Sequence, residues 1–175
     1  MARPSQRAQV LDAFEHLLVD DVGVAATLDA VAAAAGVSKG GLLYHFPSKE
    51  ALVDGLADRL RAQVAEDVEA LRAAPDGPVA YWLSSSSSGT PAALTRTSQA
   101  VLRLAGAGQP AARAVLEEAD QAWAGALGER IPDPVLARLV VLVGNGLWLE
   151  TLTGLPPRED LRPLRERLER LVDGG

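Results

Sequence analysis

Cysteine is absent from the 175 residues, which excludes a disulfide framework, a thiolate metal site and a cysteine nucleophile together. Histidine is nearly absent: His16 and His45 are too few for a histidine-rich metal or catalytic cluster, so neither metal nor cofactor is expected. Aromatic residues make up 4% of the chain, β-branched residues are few, and no stretch alternates with period two. Strands are therefore not expected. The longest apolar run, LVVLVGNGLWL from Leu139 to Leu149, is far short of the roughly 20 residues of a membrane span. The opening MARPSQRAQVLDAFEHLL has charges inside its apolar pattern and does not read as a signal peptide. A soluble, cytoplasmic protein is expected. Hydrophobic residues at 48% against charged ones at 23% exclude disorder as a description of the whole chain.

What remains is rich in alanine and leucine, the composition of an all-α protein. Most glycines and prolines sit where helices should start or stop. Ser5 can cap a first helix reaching Gly23, with Val10, Leu11, Phe14, Leu17 and Leu18 on one face. Thr27 caps a second helix ended by Gly36, Ser38 a third running to about His45 before Pro47, and Ser48 a fourth to about Ala74. The stripe of that fourth helix is Leu52, Leu56, Leu60, Val64, Val68 and Leu71. Further helices are expected at about 78–87, 91–105, 110–127, 134–153 and 158–172, several with proline at the first position. Ser84 to Ser88 reads as a frayed helix end and loop. The division is then a helix-turn-helix domain over 1–47, a connecting helix over 48–74 and a C-terminal helical bundle over 75–175.

The segment Thr27 to Phe46, TLDAVAAAAGVSKGGLLYHF, has the build of a helix-turn-helix. Ala32 is small where two helices must cross, and Gly36 suits the left-handed residue that ends a helix. Val37 can pack back on Val31 and Ala32 while Ser38 starts the next helix. That helix turns Leu42 and Phe46 inward and Lys39, Gly40, Gly41, Tyr44 and His45 outward. Two glycines cost helix stability, and close approach of backbone to a groove wall is one reason to keep them. Lys39 and Lys49 are the only lysines, and no acid lies between Ala30 and Lys49. Against this, residues 1–49 carry four Lys or Arg and five Asp or Glu, a net of minus one. Distribution decides: Asp12, Glu15, Asp20 and Asp21 can face away, whereas Arg3, Arg7, Lys39 and Lys49 bracket the presumed docking surface. Thr27 and Ser38, at the helix starts, complete the expected DNA-facing set. His45 could instead cap its own helix; its basic neighbours favour a phosphate contact.

Thr27 to Leu52, and especially GVSKGGLLYHFPSKEAL, closely resembles the N-terminal DNA-binding domain of the TetR (tetracycline-repressor-like) family of transcriptional regulators. The resemblance covers about the first 55 residues; beyond them it rests on helix number and length and on GNGLWLETLTGLPP. It implies that the second helix of the motif enters the major groove, that Tyr44, His45 and Lys49 touch phosphates, and that the C-terminal helices dimerise and enclose an inducer. Many members have tyrosine where this chain has Leu43, so that hydroxyl's phosphate contact is not expected here.

The last helix places Leu161, Leu164, Leu168 and Leu171 at steps of three, four and three, a narrow seam, with Arg162, Glu166 and Arg170 paired at four-residue steps beside it. The helix before it is apolar nearly all round and needs burial on two sides, one facing a partner. A four-helix dimer interface that includes Leu139 and Leu142 is expected. Trp82, Trp123 and Trp148 lie on three C-terminal helices and suit plain core packing as well as the wall of a ligand cavity. Gln99, Arg103 and Asn145 are the polar candidates for that pocket, and Asn145 equally suits a dimer register contact or a satisfied core amide. Glu117 and Glu118 read as a solvated face, and GNG follows a helix, so no phosphate loop is present.

The expected whole is a non-enzymatic, homodimeric, ligand-responsive regulator, a repressor of a palindromic operator on double-stranded DNA. Its small-molecule effector is expected to be largely apolar, and it has no membrane partner. An activator would use the same parts. The rival is an all-helical small-molecule-binding or enzymatic domain whose N-terminal part no longer binds DNA.

Overall fold

The computed structural model describes residues 5–20, 26–89, 92–153 and 160–174, and among these no strand occurs. The helices are α1 (Gln6–Val19), α2 (Leu28–Ala35), α3 (Lys39–His45), α4 (Lys49–Arg72), α5 (Pro78–Ser84), α6 (Ala92–Gly106), α7 (Pro110–Gly128), α8 (Pro134–Leu152) and α9 (Arg162–Asp173). Arg3, the extension of the first helix to Gly23, the Thr90–Pro91 start, residues 158–159 and all of GLPP lie outside the described residues.

Two compact units result. Unit 1 holds the chain to Arg61 together with Thr95–Leu116; unit 2 holds Ala62–Leu94 and Glu117–Gly175. Within unit 1, α1 packs on α2 and α3, and α2 on α3. Val10, Leu11, Phe14, Val31, Leu42, Phe46, Leu52 and Leu56 are buried there. Gly55 sets how closely α4 is approached: a Cβ on it would lie 2.8 Å from Phe46 Cε1 and 3.1 Å from Leu11 Cδ2.

Within unit 2, α5 packs on α8 and α9, and α8 on α9. The Trp82 indole N–H donates to the Val140 carbonyl at 3.0 Å. A Cβ at Gly144 would sit 2.6 Å from Trp82 Cε2, so glycine is what lets the ring lie on α8. By length and composition α8 could cross a membrane. Of its residues, Ala137, Val140, Val141, Gly144 and Leu147 are buried in the protein.

Three expectations change. The serine run is a π-helical turn, Ser85–Gly89, rather than a frayed loop. Ser84, Ser85 and Ser87 hydroxyls donate to the carbonyls of Tyr81, Trp82 and Ser84 at 3.0–3.1 Å, which competes with the regular ladder without ending the helical path. Leu161 is the cap residue before α9 rather than a residue within the helix, because Pro163 occupies the first turn and Asp160 takes the Arg162 N–H at 3.0 Å. Arg162 pairs with that same Asp160 through both guanidinium nitrogens, at 3.0 Å each, rather than with Glu166.

Candidate nucleic-acid interface

Each start and stop of the helix-turn-helix is fixed by a short side chain. Thr27 Oγ1 accepts the Ala30 N–H at 3.2 Å and Ser38 Oγ the Gly41 N–H at 3.0 Å. Gly36 ends α2 at φ 65°, with its own N–H on Ala33 O and the Val37 N–H on Ala32 O at 3.0 Å, which turns the chain sharply into α3. Ser48 Oγ then accepts the Ala51 N–H at 3.2 Å to start α4. With α3 held this way, Leu42 and Phe46 are buried and Tyr44 is 84% exposed.

The outward face of α3 carries Lys39, Gly40 and Tyr44 exposed, with Gly41 and His45 half-buried. A Cβ on Gly40 would meet nothing closer than 4.0 Å, so no packing among the described residues requires glycine there. His45 Nε2 lies 3.2 Å from Gln6 Oε1, and its ring meets Tyr44 edge-on at 5.1 Å. The Arg7 guanidinium stands 5.1 Å over the Phe46 ring. These contacts tie the start of α1 to the end of α3 and gather Gln6, Arg7, Tyr44 and His45 at one edge. Thr27 and Lys49 are exposed on the same unit.

Two acids temper this surface. Lys39 Nζ pairs with Asp29 at 2.9 Å, one position outside the acid-free window. Glu50 follows Lys49, and its own backbone N–H, then the Ser48 hydroxyl, hold its carboxyl below the usual range. The acids of α1 are engaged elsewhere. Arg59 on α4 bonds Asp12 at 2.7 Å and lies 3.1 Å from the buried Glu15, which also accepts the Thr97 hydroxyl at 2.7 Å. Asp20 is held by Arg96 and, at 2.7 Å, by His16. The Arg96 hydrogen bond is the main reason its carboxyl sits below the usual range.

In unit 2 the tryptophans do not act alike. Trp82 and Trp123 stand 5.5 Å apart, Trp82 buried and Trp123 half-buried. The Trp123 indole N–H donates to Asp67 Oδ2 at 2.9 Å and the Tyr81 hydroxyl to Asp67 Oδ1 at 2.7 Å. Asn145 donates to Asp120 Oδ1 at 3.3 Å, and Arg138 binds the other oxygen at 3.0 Å. Trp148 is half-buried on α8; Gln99, half-buried, and Arg103, exposed, belong to unit 1. A groove of about 190 Å³ lined by Ala80, Leu83, Leu161, Arg162 and Arg165 with two serines includes none of the six pocket candidates. Of the expected dimer-interface residues, Leu139, Leu142 and Leu171 are exposed and Leu161 and Leu164 half-buried, whereas Leu168 is 4% exposed, within its own chain.

The model of the tetracyclin repressor-like C-terminal domain matches residues 79–173, and that of bacterial regulatory proteins of the tetR family matches residues 18–56. The chain belongs to the TetR family. A TetR-family member of Streptomyces coelicolor A3 is similar at 28% identity, over 97% of this chain and 99% of that one, with a TM-score of 0.74. The multidrug binding protein EbrR complexed with imidazole is similar at 26% identity over 97% and 96%, with a TM-score of 0.69. EbrR complexed with ethidium gives 25% over 96% and 99%, with a TM-score of 0.58. No curated protein matches the chain.

As a TetR-family transcriptional regulator, the protein carries its helix-turn-helix inside the matched N-terminal segment. Sequence reasoning missed Gln6, Asp29, Gly55 and Asp67. Asp29 was within reach, since it stands ten residues before Lys39 across a turn of known geometry. Gly55 and Asp67 carry no local signal, because the contacts that single them out come from other helices.

Proposed function

We propose that the protein is a repressor that binds a palindromic operator as a homodimer and releases it when a largely apolar, aromatic small molecule binds among its C-terminal helices. The exposed face of α3 carries this reading: Tyr44, Gly40 and Lys39 point outward while the acids of α1 are paired with Arg59 and Arg96. Lys49, Arg7 and His45 supply phosphate contacts beside α3, with Thr27, Ser38 and Gly41 at its approach; Arg3, outside the described residues, is a further phosphate contact on its sequence alone. Self-association is supported by a stripe on α8 in which Val135, Leu139, Leu142 and Leu149 are all exposed, at steps of four, three and seven. Leu171 on α9 adds to it. EbrR, which binds ethidium, supports a flat aromatic effector, and action on DNA places the protein in the cytoplasm.

The mechanism is a population shift: an effector that binds one conformation better withdraws the paired heads from successive major grooves about 34–36 Å apart. α4 supplies residues to both units and so offers a covalent path for the change. Selection of bound sequences from random DNA tests the reading, with sedimentation of the free protein beside it. Enriched inverted repeats bound by a dimer support it. Enrichment of single half-sites by a monomer overturns the dimeric part, and no enrichment overturns operator binding.

A further inference from the structure

Unit 2 buries a carboxylate that no basic side chain among the described residues neutralises. Asp67 is 7% exposed, and its two oxygens accept from neutral donors, the Tyr81 hydroxyl at 2.7 Å and the Trp123 indole N–H at 2.9 Å. Among the described residues no lysine, arginine or histidine pairs with it. A buried charge is costly unless it is paired, and hydrogen bonds from neutral donors only partly offset that cost. One turn earlier on the same face of α4, the side-chain carbonyl oxygen of Gln63 is buried and has no hydrogen-bond partner. Two acceptors thus lie along one helix face; Tyr81 and Trp123, both half-buried, stand at the Asp67 end of it, and the Trp82 ring lies 5.5 Å from that of Trp123. Burial and the neighbouring carboxylate push the Tyr81 phenol up, so it remains a donor to Asp67 and adds no second negative charge.

We propose that the Asp67 carboxylate, walled by Tyr81 and Trp123, is the anchor for an organic cation of aromatic or bulky apolar build. A cation there meets the missing countercharge, and aromatic rings so close to the carboxylate offer it faces favourable to positive charge. Gln63 adds an acceptor for any N–H the ligand carries. An anion of the same shape meets like charge at Asp67 and, at Gln63, an acceptor it cannot satisfy. The proposal rests on reading unit 2 as the effector-binding part, and it names the chemical class of that effector.

The test uses two ions of matched size and opposite charge, tetraphenylphosphonium and tetraphenylborate, with neutral triphenylphosphine oxide as a third probe. Binding to the full-length protein without DNA is followed by calorimetry and by tryptophan emission, since all three tryptophans lie in unit 2. The parent should prefer the phosphonium by about thirtyfold or more, the low end of what a buried charge pair contributes. Asp67→Asn should lose that preference while keeping the parent's helical circular dichroism. Tyr81→Phe, which leaves the carboxylate in place, should keep the preference, and it carries the test if Asp67→Asn does not fold. Equal binding of both ions by the parent, no binding of the cation, a preference that survives in Asp67→Asn, or one lost in Tyr81→Phe overturns the proposal. Gel shifts with operator DNA are run separately: a cation that binds through Asp67 but leaves DNA binding unchanged sinks the repressor reading and not the anchor.

Discussion

Removing the ammonium of Lys49 isolates one phosphate contact, because the side chain is exposed at the first position of α4 and Lys49→Ala leaves the Ser48 cap in place. Each contact with duplex phosphate contributes about 0.9 to the slope of log affinity against log salt, so two heads lose about 1.8. Between about 50 and 200 mM salt the parent should therefore lose roughly twelvefold more affinity than Lys49→Ala, whatever the DNA sequence. Lys39 differs, since it must leave Asp29, 2.9 Å away, to reach DNA. Their side chains are 56% and 69% exposed, and an exposed pair of this kind is worth about 0.2–1 kcal/mol. Asp29→Asn should tighten binding by about 1.4- to 5-fold per head at low salt. Lys39→Ala should weaken it and alter base preference, as the residue opens the groove-entering helix. Fluorescence anisotropy of labelled duplexes across the salt range measures all three. An unchanged slope in Lys49→Ala, with Asp29→Asn binding as the parent does, refutes the docking geometry.

The assembly surface predicts a contrast: Leu142→Arg, on an exposed residue, should yield a folded monomer by sedimentation, whereas Leu168→Arg, on a buried one, should unfold the C-terminal helices by circular dichroism. A dimer that survives Leu142→Arg removes that face of α8 from the interface. Gly55→Ala should cost about 1–3 kcal/mol in chemical unfolding, because the added methyl meets Phe46 and Leu11; unchanged stability would mean that the Phe46 ring yields freely. Gly144→Ala should displace Trp82 from the Val140 carbonyl, seen as a shifted tryptophan emission and a lower melting temperature. Emission like the parent's would show the ring elsewhere.

How much of this was legible depends on how far apart the deciding residues stand. The turn of the helix-turn-helix is written in Thr27, Gly36, Ser38 and Ser48, each acting on a neighbour within about one helical turn, and all four cap as their residue types require. The stripe of α4 is likewise local: Leu52, Leu56, Leu60, Val64, Val68 and Leu71 are all buried. Reasoning of this kind fails where a residue's role comes from a distant partner. Asp67 looks like one more acid on a charged helix until Tyr81 and Trp123, 14 and 56 residues away, are seen to donate to it. Leu168 fits a seam pattern, but periodicity gives the face and not the body that covers it. The serine run illustrates a third limit, since hydroxyls that compete with the helix ladder can widen the coil as readily as end it.

Charge bookkeeping by segment misjudged the head in both directions. A net of minus one over residues 1–49 argues against a DNA binder, yet Asp12 and Glu15 are matched by Arg59 and Asp20 by Arg96, cations that lie outside the counted segment. The acid-free window from Ala30 to Lys49 argues for one, yet Asp29 and Glu50 stand at its two edges, the first paired with Lys39. What a phosphate backbone meets is set by which charges remain unpaired on the docking face, and those are fixed by helix packing. The pairing of Asp12, Glu15 and Asp20 with Arg59 and Arg96 therefore serves two ends: it holds α1 in unit 1, and its two cations offset two of the three negative charges that the segment count assigns to the head.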